Sequence, residues 1–358
     1  MSRGDDVVGH VNAWLSAPGP HPVVLATVTE TSASAPRPAG TQMAVGPEGT
    51  VVGSLSGGCI EADVVARAEE VAKTGKPHLQ DYGYSDEAAW TVGLTCGGTI
   101  RVLLERLLDP ADARPFRELA EHLRLGRSVA LVTALDGASY PTRRLLTPET
   151  APARGGDSQV KELLRENRSG VVVVDGKQHL VRSYAAPEHM IVFGSNAFAA
   201  ALSRLAAHVG YRVTVCDARP LFATPERFPD ADRIVVRPPH AYLAETDVDE
   251  RTVLCAMTHD PKFDDPLLAA ALATPAQFIG AMGSRKVAQD RLERLRERGV
   301  EETRLARLRS PIGLDLGALS PEETAVSILA EIIADRTGGT ARSLTETSGP
   351  IHARRPVR

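Results

Sequence analysis

The sequence predicts an α/β protein in two parts: an N-terminal mixed α/β domain, then a Rossmann-like doubly wound parallel sheet. Three observations predict it. Beyond residue 189, short apolar runs alternate strictly with helical periods, the pattern of repeated βα units. Before residue 175, short β-branched runs separated by Gly and Pro turns dominate instead. The length, 358 residues, exceeds the usual size of one domain. The expected boundaries are an N-terminal domain over 8–175, a linker over 176–188 where the periodicity weakens, a C-terminal domain over 189–338, and an unstructured Thr/Ser/Arg-rich tail over 339–358.

Each element follows from a local pattern. Val23–Val28 is β-branched and apolar, and Gln42–Val45 and Thr50–Val52 flank the turn Gly46-Pro47-Glu48-Gly49. Ile60, Val64, Ala68 and Val71 recur at helical spacing, so a helix is expected over Ile60–Lys73. Strands follow at Thr99–Leu104, Ser128–Thr133 and Val171–Val174, with a helix at Asp112–Leu125. Residues 149–167 read as surface loop or short helix. In the second half, strands are expected at Met190–Phe193, Arg212–Cys216, Ile234–Val236, Thr252–Cys255 and Phe278–Gly280. Helices are expected at Ala197–His208, Asp265–Ala273 and Arg285–Glu297. Ser320, Pro321 and Glu323 form a capping box that opens the last helix.

Bulk chemistry excludes several functions. A formal net charge of −4 argues against nonspecific nucleic-acid or anionic-membrane binding. No apolar run approaches the roughly 20 residues of a transmembrane helix. Residues 1–6 lack the apolar core of a signal peptide, so a cytoplasmic protein is expected. Cys59, Cys96, Cys216 and Cys255 are widely spaced, without a C-x-x-C pair or a nearby His cluster. That pattern fits reduced thiols and neither a disulfide framework nor a zinc knuckle.

Two cysteines stand apart. Cys59 follows Gly57-Gly58 and precedes a helix, and Cys96 precedes Gly97-Gly98. Glycines let the backbone approach a bulky group, and helix-start N–H groups favour a thiolate. Cys59 therefore reads as either a ligand contact or simple packing; Cys216 and Cys255, in expected strands, read as packing. Arg37, in an earlier loop, offers a bidentate anion contact.

In the second half, Gly194-Ser195-Asn196-Ala197-Phe198-Ala199 sits at a Rossmann turn, with Asp217 where a ribose-binding acid belongs. Asn196 replaces the middle glycine, so the fold reading is stronger than the NAD reading; Asn tolerates positive φ and would let the turn survive. Gly283-Ser284-Arg285 after the Phe278 strand is either an anion cradle or a capped turn. His259-Asp260 is an acid–base pair, a ligand contact or a structural loop. Gly313-Leu314-Asp315 either lines the same cleft or packs the last helix.

Taken together, these motifs resemble the XdhC/CoxI family of xanthine dehydrogenase accessory factors. The resemblance rests on Thr27–Gly40 with Pro36-Arg37, Gly53–Glu61, Leu94–Gly98, Thr258–Asp264, Ile279–Arg285 and Ser310–Asp315, and runs from about Val23 to Asp335. It implies a chaperone, not a catalyst, that binds molybdenum cofactor, promotes its sulfuration with a cysteine desulfurase, and delivers it to an apo molybdenum hydroxylase of the xanthine dehydrogenase or carbon monoxide dehydrogenase type. The cofactor would be molybdopterin or its cytosine dinucleotide form. The implied cofactor-binding residues are Arg37, Ser56, Gly57, Gly58, Cys59, Glu61, Cys96, Gly97, Gly98, Gly194, Asn196, Asp217, His259, Asp260, Gly283, Ser284, Arg285, Gly313 and Asp315. Cys59 is the expected contact to molybdenum, a sulfur-loving metal. The family commonly carries Gly-x-Gly-His-x-Ala at the Rossmann turn, and this chain lacks the second glycine and the histidine. The competing reading is an NAD(P)-dependent oxidoreductase. A homodimer is the base-rate expectation.

Overall fold

A computed structural model describes residues 3–17, 22–32, 35, 37–83, 98–108, 110–135, 142–151 and 158–348. The chain divides into two compact units, with the break between Ala186 and Pro187.

The first unit runs α1 (Arg3–Ser16), β1 (Val23–Ser32), β2 (Gln42–Val45), β3 (Val51–Gly53), α2 (Glu61–Thr74), β4 (His78–Tyr82), β5 (Thr99–Leu107), α3 (Pro110–Arg124), β6 (Val129–Ala134), β7 (Arg143–Leu146), α4 (Ser158–Arg165), β8 (Gly170–Val174) and β9 (Lys177–Tyr184). Strands β3-β2-β1-β5-β4 form one antiparallel sheet and β7-β6-β9-β8 a second. The period of two along β1 explains its double burial. Val24, Ala26 and Val28 pack with Val64, Ala68 and Val71 of α2, while Val23 and Leu25 join Val7, Val11, Phe116 and Leu119 from α1 and α3. Helix α2 stops at Gly75, whose positive φ closes the last turn onto the Val71 carbonyl.

The stretch expected as a linker, 176–188, instead carries β9, an inner strand paired with both β6 and β8. Asp175 and Gly176 both take positive φ, the two-residue hairpin turn that joins β8 to β9. The polar start Lys177-Gln178-His179 masks the strand's periodicity, because only its second half is buried.

The second unit runs β10 (His189–Phe193), α5 (Ala197–His208), β11 (Arg212–Asp217), β12 (Arg233–Val236), α6 (Pro239–Ala244), β13 (Thr252–Ala256), α7 (Pro261–Leu272), β14 (Phe278–Ala281), α8 (Arg285–Glu297), α9 (Glu302–Leu305), β15 (Leu308–Arg309) and α10 (Pro321–Thr337). The sheet order is β12-β11-β10-β13-β14-β15, all parallel. Its core strands are continuous apolar runs because helices cover both faces. Strand order reverses between β10 and β13, the switch point where such sheets open a crevice at their carboxyl edge. The last helix starts with the expected capping box from Ser320 and Glu323. Residues 339–348 of the expected tail are described and include a 3-10 turn at Leu344–Glu346; 349–358 lie outside the described residues.

Candidate functional site

Two glycine-rich turns hold most of the candidate residues. The first links β3 to α2. Leu55 and Ile60 are fully buried at its two ends and pin it to the core. Between them, Gly57 and Gly58 take φ of 92° and 123°, lie exposed, and have open space where a side chain would stand. The sequence offers this turn's N–H groups to a bound anion. In the folded chain they converge on the carboxylate of Glu61.

Oε1 accepts from the Ser54 hydroxyl (2.7 Å) and from the N–H groups of Leu55 (3.1 Å), Ser56 (2.9 Å) and Gly57 (3.0 Å). Oε2 accepts from the Ser56 hydroxyl (2.7 Å) and the N–H groups of Gly58 (2.9 Å) and Ile60 (3.2 Å). Burial works against ionisation here. Hydrogen bonds from Ser56 and Ser54 outweigh it and hold the carboxyl well below the usual carboxylate range. Glu61 thus fills the nest from within and fixes the turn's shape. Cys59 donates its N–H to the Ser56 hydroxyl (3.0 Å) and sits half-buried on the α2 core, beside the exposed glycines.

Arg37 lies half-buried in the loop between β1 and β2 and makes no hydrogen bond or ion pair among the described residues. Gly98 is buried at the entry to β5; Cys96 and Gly97 lie outside the described residues.

The second turn links β10 to α5. Gly194 takes φ of 114°, and a Cβ there would stand 2.8 Å from the Thr258 side chain, so packing alone demands glycine. Asn196 does not adopt the positive φ that the sequence reading allows. It is extended (φ −83°) and caps α5, accepting from the Ala199 N–H at 2.9 Å. Its amide also donates to the Met257 carbonyl at 2.7 Å and ties the turn to the end of β13. The polar side chain gives the helix start what a bare glycine does not.

Gly194, Asn196, Asp217, His259 and Asp260 do converge. With Ser195, Arg219, Pro239, Thr258 and Phe263 they line a cleft of about 150 Å³ at the switch point. Asp260 caps α7 through the Lys262 N–H (3.0 Å), and among the described residues it makes no hydrogen bond to the exposed His259. An acid–base dyad is therefore absent from this pair. Cys216 and Cys255 are buried in β11 and β13, where burial pushes both thiols up to about 12.

Gly283, Ser284, Arg285, Gly313 and Asp315 lie elsewhere, at the ends of β14 and β15. Ser284 caps α8 through the Val287 N–H (3.2 Å). Arg285 and Asp315 are almost fully exposed and only 3.9 Å apart. Gly313 donates to Glu331 (2.6 Å), and the Leu314 carbonyl accepts from the Ser327 hydroxyl (2.6 Å). This loop packs the last helix.

Sequence reasoning missed the group that organises this edge of the sheet. Arg291 of α8 is 1% exposed and pairs with the buried Asp264 of α7 at 3.1 Å. It also donates to Ser310 (2.8 Å) and the Met282 carbonyl (3.0 Å), while Thr258 donates to Asp264. Three of the quoted motifs therefore meet at one buried guanidinium. Its signal was present: Ala288, Arg291 and Leu295 form the buried stripe of α8, so a cation sits on an apolar face.

A two-unit chain with a glycine–cysteine turn in the first unit and a capped Rossmann turn in the second defines the class. The family model described as XdhC and CoxI family matches residues 18–83, and that of the XdhC Rossmann domain matches residues 190–332, together more than half of the chain. The protein belongs to the XdhC and CoxI family. It is 29% identical to a Bacillus subtilis protein named as a probable xanthine dehydrogenase subunit, over 87% of this chain and 93% of that protein. It is 28% identical to the molybdenum cofactor insertion chaperone PaoD of Escherichia coli, over 91% of this chain and 86% of that one. A crystal structure of a xanthine dehydrogenase from Bacillus halodurans superposes with a TM-score of 0.73 at 28% identity, covering 97% of this chain and 98% of the other.

Proposed function

We propose that this protein is a molybdenum cofactor insertion chaperone: it carries the cofactor and hands it to an apo molybdenum hydroxylase of the xanthine dehydrogenase or carbon monoxide dehydrogenase type. The observation that carries this reading is the near full-length likeness to the insertion chaperone of Escherichia coli. A cysteine desulfurase is the partner that would supply sulfur to the carried cofactor, and the cytoplasm is where the exchange would occur.

The first turn's chemistry supports the reading. Among the described residues no group of three or more His, Cys, Asp or Glu is placed to hold a bare metal ion. The cargo instead brings its metal already held by a pterin dithiolene, which asks the protein for few ligands. Cys59, half-buried beside two exposed glycines, offers one soft sulfur next to a surface with no side chains to obstruct a bulky group. Glu61 rigidifies that surface. Because Glu61 already takes the inward N–H groups, the cargo's anionic groups must be met by other donors, of which Arg37 is the candidate in the first unit. Cys96, Gly97 and Gly98 enter the proposal from the sequence alone.

The test is cofactor loading under anaerobic, reducing conditions, with bound molybdenum and pterin measured together. Near-stoichiometric loading is expected. Cys59→Ala should bind about tenfold more weakly at an unchanged melting temperature, the loss of one metal–sulfur contact. Equal loading in Cys59→Ala removes the sulfur contact from the proposal. No loading at all, with clear NADH binding, turns the reading towards the oxidoreductase.

A further inference from the structure

The cleft at the carboxyl edge of β10, β11 and β13 has its own recognition chemistry, distinct from the cysteine turn. In Rossmann folds an acid at the end of the second strand accepts hydrogen bonds from a free ribose diol. Asp217 stands at that place and is 3% exposed. Its acceptors are already full. Oδ1 accepts from the Arg219 N–H (2.9 Å) and Arg219 Nε (3.0 Å). Oδ2 accepts from the Ser195 hydroxyl (2.6 Å) and Arg219 Nη2 (2.8 Å). A carboxylate has about four acceptor positions, so none remains for a diol.

The same bonds fix Arg219 as a preset anion fork. Two of its five N–H donors lie on Asp217; the Nη1 group and one Nη2 hydrogen are left, and the side chain is 56% exposed. Its guanidinium carbon lies 4.9 Å from the centroid of the Phe222 ring, within cation–π reach. A second cation shares that ring: Arg227 lies 5.5 Å from the same centroid and is held by the Ser195 carbonyl at 3.0 Å. The opposing charges are Asp217, buried and paired, and Asp260, which acts on Arg219 from the cap of α7. Pro239 and Phe263 supply apolar wall to the cleft.

We propose that this cleft binds a nucleotide whose ribose carries a phosphate monoester, with Arg219 and Arg227 holding that phosphate and the saturated Asp217 rejecting an unphosphorylated ribose. A phosphate takes guanidinium donors in bidentate geometry and needs no acceptor, whereas a diol needs the acceptor Asp217 no longer has. Discrimination thus rests on one internal ion pair. The site is independent of the cofactor reading, since none of the residues invoked belongs to the cysteine turn.

The experiment is calorimetric titration of the full chain with NADP+, NAD+, adenosine 2′,5′-bisphosphate and 5′-AMP. The two ligands with a ribose 2′-phosphate should bind about ten- to a hundredfold more tightly than their unphosphorylated counterparts, the range of a charged hydrogen-bonded contact. Binding of the bisphosphate but not NADP+ would identify a mononucleotide-sized ligand; binding of both, a dinucleotide. Arg219→Gln should collapse the phosphate preference to about parity, because it removes the fork and frees Asp217 together. A merely structural role for Arg219 would weaken every ligand alike and keep the ratio. Arg227→Gln, which leaves Asp217 saturated, should weaken the phosphorylated ligands alone. Equal affinity for NAD+ and NADP+, an unchanged ratio in Arg219→Gln, or no binding of either phosphorylated ligand at millimolar concentration overturns the proposal.

Discussion

The two glycine-rich turns solve one problem in opposite ways. Both present unpaired N–H groups ahead of a helix, and both look from sequence like open cradles. In the first, Glu61 reaches back from the first turn of α2 and gathers five backbone N–H groups and two hydroxyls. In the second, the neutral Asn196 takes one N–H and gives one bond to Met257. The carboxylate closes its nest and leaves a bare glycine surface exposed beside the half-buried Cys59. The amide leaves a cleft beside it, whose charge is set by Asp217 and Arg219. A glycine-rich turn therefore does not declare its ligand; the side chain that satisfies it decides what remains to be offered.

The sharpest way to break the second arrangement lies beneath it. Arg291→Met leaves Asp264 ionisable and unpaired in a buried site, which should cost about 3–5 kcal/mol of unfolding free energy. Burial already pushes the Asp264 carboxyl above its ordinary value, against the pull of Thr258 and Arg291. Denaturant unfolding measures the loss. Adding Asp264→Leu should recover part of it, because the double variant buries no orphan charge.

The first turn should respond less. Glu61→Gln keeps the shape but removes the charge and sets an amide donor against donors, for about 2–3 kcal/mol. The sign of its pH dependence follows from the lowered pKa. Glu61 stabilises the fold fully above its unfolded value of 4.5, and that contribution is lost as pH falls towards the folded value. The stability gap between the two proteins should therefore stay constant above pH 4.5 and shrink as pH falls below it. A constant gap at every pH would mean that charge is not what holds the turn.

Asn196→Gly is the mildest test. It restores the glycine of the dinucleotide fingerprint while removing a cap and the bond to Met257, for about 1 kcal/mol. Thermal melts read the cost. A larger loss would show that Asn196 holds β13 to α5 more firmly than one capped helix requires.

Much of the second unit was legible in the sequence. Its strands and helices alternate with clear periods, and α5, α8 and the capping box of α10 fall where the letters place them. The first unit was harder. Strand β4 has mostly exposed residues and β7 opens on two arginines, so no apolar alternation marks them, and β9 hid behind its polar start. Of the candidate site, the residues flanking the switch point could be read from strand ends. The occupancy of their polar atoms could not.

By itself the sequence determined the doubly wound sheet, the glycine–cysteine turn and the family, because periodicity and short motifs are local properties of the chain. Only the tertiary structure decided that Glu61 fills its own nest, that Asp217 is saturated by Arg219, and that Arg291 ties three distant loops together. The physical reason is that a polar group's availability depends on which partners folding brings within hydrogen-bond reach, and those partners can lie far along the chain: Arg291 is 27 residues from Asp264 and Asn196 is 61 from Met257.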